Sequence, residues 1–493
     1  MTLRTSLFQI REAYHRSFLA RTFDFFRREI TLESIPTDPW PGDIRMATML
    51  LERYYTATIQ EKITFWSLDE VKNTPYFHSF DWLRDLKSIG DSRSRRFSRA
   101  LILSWIKNHK ASTDPAWTPS ITGERLSNFL CYYEFFAQSG DDRFLKIFHK
   151  ILFRHLRYLR FYALNLLPSY EAFLALKGAI TATLAFKKTP ATLDPLLSRL
   201  TKTLSQILYS DGFYHKEHPD VQVRLARHII DIRNFLRQCQ DPAAALKLQQ
   251  FVDRVIPPIR LLRHGDGRLS NLCGVSSMSS PMIDVVLSSS DTKSRLMQKS
   301  EHAGFERLGI ENNLILVKTK PTNLLEGSTG CLQFEWSMGK ERILSLCDII
   351  LENSQGKGYK PTHLPKIHRR TENDHRFIEM FLNDEHFTHN REIYLGIQND
   401  VRICDRLSAH QPSFGALRLM ISRDFDVHLS PDHTQVLLRQ AKGEVFFLKF
   451  KNIDELSLDT KTSALGNTLS LFALFRLIPG IEREISWTVS QEA

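Results

Sequence analysis

The chain has 493 residues, of which 42% are hydrophobic and 25% are charged. These fractions are those of an ordinary globular protein, and the length predicts two to four domains. The net charge of +11 favours an acidic partner, which could be a polyanionic glycan, a nucleic acid or an anionic membrane surface. Charge alone does not choose among these three classes.

The six cysteines are scattered and include no C-x-x-C pair. This spacing is typical of neither a disulfide framework nor a zinc ribbon, so no metal and no cofactor are expected. Charged residues interrupt positions 1–30, and the apolar run Leu469 to Ile478 contains Arg476 and is too short for a bilayer. We therefore expect a soluble chain with no membrane span and no export signal.

The first half of the chain has a helical period. Apolar residues recur three or four positions apart, as in Phe97, Leu101 and Trp105. Short connections with Gly, Pro, Ser or Asp separate the periodic segments, and no fixed repeat indicates a regular solenoid. Helices are predicted at 44–55, 142–161, 170–186, 193–208, 219–237 and 243–262. Many antiparallel helices of this length could close on themselves as an incomplete (α/α) toroid.

The character changes after Cys273. A Ser-rich junction at 275–282 is followed by short alternating runs of β-branched and aromatic residues. Strands are predicted at 313–319, 332–336, 342–346, 392–395, 435–438 and 445–450, and 353–373 is predicted to be a long loop. Helices followed by strands indicate an α+β multidomain chain. We expect a helical domain at 1–274 and an antiparallel β-sandwich at 275–493.

The stretch Tyr209 to Pro219 is the richest in groups that transfer protons or bind anions. It contains Asp211, Tyr214, His215 and His218 and ends where a helix is predicted. Pro219 suits the first helical position, which places His218 at or near the N-cap. The positive end of that helix would favour a carboxylate or sulfate. The alternative is a polar surface loop without a function.

Two further segments carry candidate side chains. Arg125 and Asn128 share one face of a predicted helix and could hold a carboxylate, although the motif alone favours an ordinary exposed turn beside Trp117. The second segment lies where the predicted domains meet, a location at which ligand sites concentrate. Its candidates are Arg263, His264, Asp266 and Asn271. Cationic residues at the end of a helix also have a purely structural use.

Several familiar catalytic patterns are absent, including G-x-G-x-x-G, G-x-S-x-G and H-E-x-x-H. The pair His386 and His389 resembles a metal motif. It lies in a predicted strand, however, where residues three apart point to opposite faces. We therefore do not expect this pair to chelate a metal.

The segments taken together resemble the bacterial heparinase II/III-like proteins, which are polysaccharide lyases with a helical toroid and a C-terminal antiparallel sandwich. The resemblance rests on the order and spacing of nine short segments across most of the chain: 38–43, 78–86, 117–128, 210–219, 263–267, 304–308, 330–335, 389–391 and 405–407. The resemblance implies an acidic polysaccharide as partner, and neither a nucleic acid nor a membrane. It also implies a place in the cell envelope or periplasm, whereas the expected lack of an export signal leaves a cytoplasmic location as the alternative.

The chemistry that the resemblance implies is β-elimination at a uronic acid. A base removes the proton beside the sugar carboxylate, and an acid protonates the departing glycosidic oxygen. Tyr214, His215, His218 and His264 are the implied catalytic residues. The implied substrate-binding residues are Arg125, Asn128, Asp211, Arg263, Asp266, Asn271 and Glu335.

The chain departs from the family's pattern at several positions. Phe213 and Tyr214 stand where relatives carry Gly-His, and Glu217-His218 replaces Arg-Asn. Ser328 stands where relatives carry His, and Phe305 where they carry Tyr. These departures leave an alternative open, in which a catalytically degenerate protein of the same fold binds a glycan or the cell envelope. A nucleic-acid binder is a third hypothesis, and it rests on charge alone.

Overall fold

The computed structural model describes residues 32–110, 114–186, 190–321, 329–440, 443–460 and 468–491. The chain forms two compact units, and each combines segments that are distant in sequence. The first unit holds the residues up to Leu208 together with Leu225–Asp253 and Ser288–Ser290. The second holds Tyr209–Arg224, Arg254–Leu287 and the residues from Asp291 onward. A single boundary between 274 and 275 stays a prediction.

The described residues contain fourteen α-helices, all of which precede the strands. Within them no helix is long and apolar enough to cross a membrane. Their bounds are α1 Ile44–Thr56, α2 Ile59–Thr64, α3 Asp69–Lys72, α4 Pro75–Ser79, α5 Trp82–Ile89, α6 Ser92–Asn108, α7 Pro119–Cys131, α8 Tyr133–Phe136, α9 Asp142–Tyr162, α10 Tyr170–Ala185, α11 Pro190–Ile207, α12 Pro219–Gln238, α13 Pro242–Leu262 and α14 Ser280–Ser288.

Side-chain caps fix where several helices begin. The carboxylates of Asp43, Asp91 and Asp141 and the hydroxyl of Ser169 accept hydrogen bonds from backbone N–H groups of the first turns of α1, α6, α9 and α10. The centre of the first unit is α10, whose residues from Ala172 to Ala185 are all buried. A helix apolar on every side packs inside a protein, with other helices around it.

Two glycines allow α7 and α10 to approach closely. A Cβ on Gly123 would lie 2.2 Å from the Leu174 carbonyl oxygen, and a Cβ on Gly178 would lie 2.4 Å from the Gly123 Cα. No side chain fits at either position without moving the backbone. The close packing matters for function because both helices carry polar side chains considered below.

The strands form two eight-stranded sheets in the second unit, and every pairing is antiparallel. The first sheet has the order β1-β2-β3-β4-β5-β10-β15-β14, and the second β11-β12-β13-β16-β9-β8-β7-β6. The bounds are β1 Lys299–Ser300, β2 Phe305–Ile310, β3 Asn313–Lys318, β4 Gln333–Met338, β5 Glu341–Asn353, β6 Lys366–Thr371, β7 His375–Asn383, β8 Phe387–Gly396, β9 Val401–Ala409, β10 Ser413–Ser422, β11 Phe425–Leu429, β12 Gln435–Gln440, β13 Val445–Lys451, β14 Glu455–Asp459, β15 Thr468–Leu477 and β16 Arg483–Gln491.

A single apolar core joins the two sheets. Phe334 of the first sheet stacks on Trp487 of the second, with ring centroids 6.2 Å apart. Strand β9 shows the expected pattern, since alternate residues from Val401 to Ala409 are buried. The helices-then-sandwich fold class predicted from the sequence is therefore confirmed.

The structure also corrects two expectations. The predicted loop 353–373 contains β6, which pairs with β7 from Lys366 to Thr371. Five of the six β6 residues are exposed, so the sequence has no alternation of apolar and polar residues that would predict this edge strand. Helix α14 begins inside the Ser-rich junction, at Ser280, and continues to Ser288, with Ile283 and Val286 buried. A helix of nine residues gives too few apolar positions for a periodic signal.

Candidate functional site

The loop that precedes α12 is held in a fixed conformation within the second unit. Gln222 accepts a hydrogen bond from the Tyr214 backbone N–H at 2.7 Å and donates to the Gly212 and Val255 carbonyls at 3.0 Å each. Gly212 has φ +91, and a Cβ there would lie 1.8 Å from the Arg254 carbonyl oxygen. Only glycine therefore lets the loop lie against α13.

His218 is the N-cap of α12, as predicted. Its carbonyl accepts the first helical hydrogen bond from the Gln222 N–H at 3.1 Å, and its Nδ1 lies 3.3 Å from the Asp220 N–H. Because Nδ1 accepts, the proton of the neutral imidazole lies on Nε2. His218 therefore presents an N–H donor at Nε2.

Tyr214 and His215 form an adjoining aromatic pair. Their ring centroids lie 4.8 Å apart, and the Tyr209 hydroxyl donates to the His215 carbonyl at 3.3 Å. Tyr214 is only 3% exposed, whereas His215 is partly exposed. The imidazole of His215 is thus the more accessible of the two candidate groups. Asp211 at the start of the loop accepts from the Phe213 N–H and from the Ser300 hydroxyl, which gives it a structural use.

The partly exposed Glu217 and the buried Lys318 form an ion pair that the sequence reasoning missed. The Lys318 ammonium also donates to the Ala303 carbonyl and lies 4.5 Å from the centre of the Phe305 ring. Glu217 has φ 58, a conformation that costs a non-glycine residue of order 1 kcal/mol or more. The ion pair holds the carboxylate in place at the turn before His218.

Cys273 completes this group. Its sulfur lies 3.9 Å from a Glu217 carboxylate oxygen, and burial raises the pKa of the Cys273 thiol to about 11. The thiol is therefore protonated at neutral pH and is not a nucleophile in this state. The cysteines in the described residues are all free.

Four predicted site residues meet near the end of α13. The ring nitrogens of His264 lie 2.9 Å from a Glu335 carboxylate oxygen and 2.8 Å from the Ser337 hydroxyl. The other Glu335 oxygen accepts a hydrogen bond from the Asn271 N–H at 2.8 Å. The Arg342 guanidinium lies 3.7 Å from a Glu335 carboxylate oxygen and 3.4 Å from an Asp266 carboxylate oxygen. His264, Asp266, Asn271 and Glu335 are thus brought together, and their role in binding a substrate stays a prediction.

The His264–Glu335 pair is completely enclosed, with 0% exposure of both side chains. Burial lowers the pKa of His264, as does nearby Arg342, so the imidazole is neutral. Glu335 keeps a lowered pKa in spite of its burial because His264 and Arg342 stabilise its charge. Both His264 nitrogens are occupied by protein partners, so this geometry favours a positioning role over the predicted catalytic one.

Arg263 also has partners within the protein. Its Nε donates to the Gly267 carbonyl at 3.1 Å, and its guanidinium pairs with Asp284. Gly267 needs its glycine because φ is +81 and a Cβ would meet the Ser280 hydroxyl. The arginine therefore closes the turn that follows α13.

Arg125 and Asn128 belong to the first unit. The Arg125 guanidinium is fully buried, lies 4.1 Å from the centre of the Trp105 ring, and donates to His155 Nε2 and the His78 carbonyl at 2.7 Å each. The structure corrects the prediction that it receives a substrate carboxylate, because its donors face the core. Asn128 is 5% exposed and donates to the Ser79 carbonyl and to Asp81.

The two histidines of the metal-like motif do not act together. His389 is buried in β8 with Nε2 2.7 Å from an Asp405 oxygen, whereas the His386 ring packs on Tyr359 with centroids 5.4 Å apart. Among the residues that the structure describes, no group of three His, Cys, Asp or Glu side chains could hold a metal. Ser328, the departure from the family pattern in the strand half, lies outside the described residues.

The fold is that of the heparinases. A heparinase III structure superposes with a TM-score of 0.69 at 10% identity, covering 99% of this chain and 91% of that one. A second heparinase III gives 0.65 at 11% identity, covering 96% and 88%. A mutant heparan sulfate lyase HepC from Pedobacter heparinus gives 0.60 at 14%, covering 97% and 87%. At these identities the likeness shows the fold alone.

The sequence comparisons add one relative of a different name. FtsZ-localized protein C of Caulobacter vibrioides is 24% identical over 277 residues, which are 55% of this chain and 47% of that protein. The chain thus spans about half the length of this curated relative. No family model matches the chain.

Proposed function

We propose that this chain acts on an acidic, uronate-containing polysaccharide by β-elimination. The observation that carries the proposal is the fixed loop before α12, where a partly exposed imidazole at His215 and an N–H donor at His218 lie three residues apart. A lyase needs one group to accept a proton and another to donate one. The heparinase-like fold and the net charge of +11 support the same class of substrate.

In this proposal His215 is the base and His218 the acid. The imidazole of His215 removes the proton beside the uronate carboxylate, and His218 Nε2–H protonates the glycosidic oxygen as the bond to carbon breaks. The products are a shortened chain and an unsaturated uronide. Tyr214 orients His215 through ring contact, because its phenol is almost completely buried.

The test is to incubate the purified protein with a panel of uronate polymers and follow ultraviolet absorbance of the unsaturated uronide. We expect absorbance to rise with at least one polymer and to be lost in His215→Ala. Lys216→Ala is the matched control, since Lys216 is exposed in the same loop. Absence of uronide across the panel would contradict the proposal.

A second candidate is a non-catalytic protein of the same fold that binds a glycan. The observation that favours it is the enclosure of His264 and Glu335, together with Phe305, which stacks on Phe213 with ring centroids 5.6 Å apart and has no proton to transfer. Saccharide binding without turnover, unchanged in His215→Ala, would support this candidate. Turnover that depends on His215 would exclude it.

The relative's name adds a location to this second candidate. That protein is named as FtsZ-localized, and we propose that the non-catalytic form works in the cell envelope at the place where FtsZ assembles. A fluorescent fusion that stays diffuse while labelled FtsZ forms its ring would contradict this location. Co-sedimentation with FtsZ polymers is the corresponding measurement on purified proteins.

A further inference from the structure

Helices α7, α10 and α12 bring a second polar cluster together inside the first unit. Lys177 donates to His228 Nδ1 at 2.6 Å and to an Asp231 oxygen at 2.9 Å. On the other side of the ring, His228 Nε2 faces a Glu124 carboxylate oxygen at 3.6 Å. This cluster is separate from the residues assigned to proton transfer above.

Two buried donors in the cluster lack a hydrogen-bond partner among the described residues. They are His228 Nε2 and Arg227 Nε, on side chains that are 1% and 8% exposed. Because the Lys177 ammonium has no acceptor, His228 Nδ1 must accept and Nε2 must carry the proton. A buried donor without a partner costs about 1–3 kcal/mol, so a group that accepts a hydrogen bond would stabilise either position.

The charges of the cluster decide what the ligand can be. Burial lowers the pKa of His228, helped by Lys177 and Arg227, so the ring is neutral. The carboxyl group of Asp81 keeps a lowered pKa in spite of its burial because Arg84 and Arg227 lie nearby. Asp81 is therefore ionised, and Lys177 lies 2.9 Å from the Asp231 carboxylate.

A simple ion of either sign does not suit this mixture. An anion would meet the carboxylates of Glu124 and Asp81, and a cation would meet Arg227 and Lys177. A hydroxyl group both accepts and donates, so one hydroxyl can take a hydrogen bond from His228 while it donates to Glu124, and a neighbouring hydroxyl can accept from Arg227. Adjacent hydroxyls of a sugar ring supply several such groups at fixed spacing.

We propose that Arg227, His228 and Glu124 form a site that binds vicinal hydroxyls of a pyranose ring. The inference deepens the proposed function and rests on it for the nature of the polymer. It adds a recognition element that contacts the sugar ring itself and not its carboxylate. Sequence reasoning missed it because these three residues lie on two helices about a hundred positions apart.

The experiment measures binding calorimetrically in a His215→Ala chain, which avoids turnover. The probes are a tetrasaccharide of alternating glucuronate and N-acetylglucosamine, cellotetraose, and sodium sulfate. We expect at least one tetrasaccharide to bind and sulfate not to compete. Arg227→Met and Glu124→Gln should each weaken binding about tenfold or more, as expected for a hydrogen bond to a charged group. Arg224→Met, an exposed position on the same helix, is the matched control.

Three outcomes would overturn the site: neither tetrasaccharide binds, sulfate competes fully, or both variants bind within twofold of the parent chain. Unfolding in urea distinguishes a role of these residues in saccharide binding from a role in stabilising the fold. Arg227 also stabilises the charge of Asp81, so Arg227→Met should lower the unfolding midpoint, and its effect on binding is judged beside that of Glu124→Gln. A midpoint that falls in Arg227→Met, with saccharide binding retained in Glu124→Gln, would assign Arg227 a structural role and refute the site.

The same measurements keep this inference distinct from the lyase proposal. If the native chain forms no uronide but affinity depends on Arg227 and Glu124, the lyase proposal fails and the hydroxyl site stands. If uronide forms and neither variant changes affinity, the hydroxyl site fails and the lyase proposal stands.

Discussion

Replacing Glu335 tests whether its buried hydrogen bond with His264 stabilises the fold of the second unit or takes part in proton transfer to a substrate. Glu335→Leu removes the acceptor for His264 Nε2 at 2.9 Å and for the Asn271 N–H at 2.8 Å. Both donors would stay buried without partners, and each such loss costs about 1–3 kcal/mol. Nearby Arg342 also loses a compensating charge.

We therefore expect Glu335→Leu to lower the free energy of unfolding by about 2–6 kcal/mol, the sum for two donors left buried without an acceptor. Glu335→Gln keeps one acceptor and should cost less. The assay is urea unfolding at pH 7 followed by circular dichroism. A double-mutant cycle with His264→Leu should show that the two losses are not additive, because each substitution removes the same contact.

A catalytic role gives the opposite result. If His264 transfers a proton to substrate, Glu335→Gln should reduce uronide formation while stability stays within about 1 kcal/mol of the parent chain. A loss of stability below about 1 kcal/mol in Glu335→Leu would refute the argument that the pair is fully desolvated. The comparison uses stability and turnover measured on the same preparations.

Three further predictions concern pH, backbone and charge. Burial is the main cause that lowers the pKa of His78 to about 4, so the unfolded chain binds more protons than the folded chain below pH 6.5. The free energy of unfolding should therefore fall by about 3 kcal/mol from this residue alone as the pH drops from 6.5 to 4. Thermal melts that stay constant over this range would contradict the prediction. Gly212→Ala should lower the free energy of unfolding by at least about 2 kcal/mol, because the added Cβ would clash with backbone atoms. The control is Gly443→Ala, where φ is +95 and no atom lies within 4 Å of an added Cβ, and it should lower the free energy of unfolding clearly less in the same urea assay. Lys318→Met leaves the Glu217 carboxylate without its cation and should lower the free energy of unfolding by about 3 kcal/mol. The double variant Lys318→Met/Glu217→Gln should recover part of that loss. An unchanged unfolding midpoint in Lys318→Met would show that the ion pair contributes nothing to stability.

The fold class could be predicted because it depends on local periodicity. The apolar spacing at 142–161 predicts a helix, and the structure has α9, Asp142–Tyr162, there. The predicted strand at 445–450 is likewise β13, Val445–Lys451. Strand β6 could not be predicted this way because it is an exposed edge strand with charged side chains. Burial on one face produces the alternation that sequence patterns detect.

The site was predicted less completely than the fold. His264 and Glu335 were found through segments that resemble a family, although their enclosure was not foreseen. Lys318 contacts Glu217 across 101 positions, and no local pattern marks a pair formed only by tertiary packing. Arg125 was predicted to bind a substrate, but it is buried in the core. An arginine on a helix face can bind a ligand carboxylate or pack against buried groups such as the Trp105 ring and the His78 carbonyl, and the sequence does not distinguish the two.

The most direct test of the central claim is a uronide assay on the native chain and on His215→Ala at matched protein concentration. The account predicts ultraviolet absorbance that grows with time on a uronate polymer for the native chain and is absent for the variant, with equal unfolding midpoints for the two. Absorbance that fails to appear with every polymer of the panel, or that appears equally with both proteins, would contradict it.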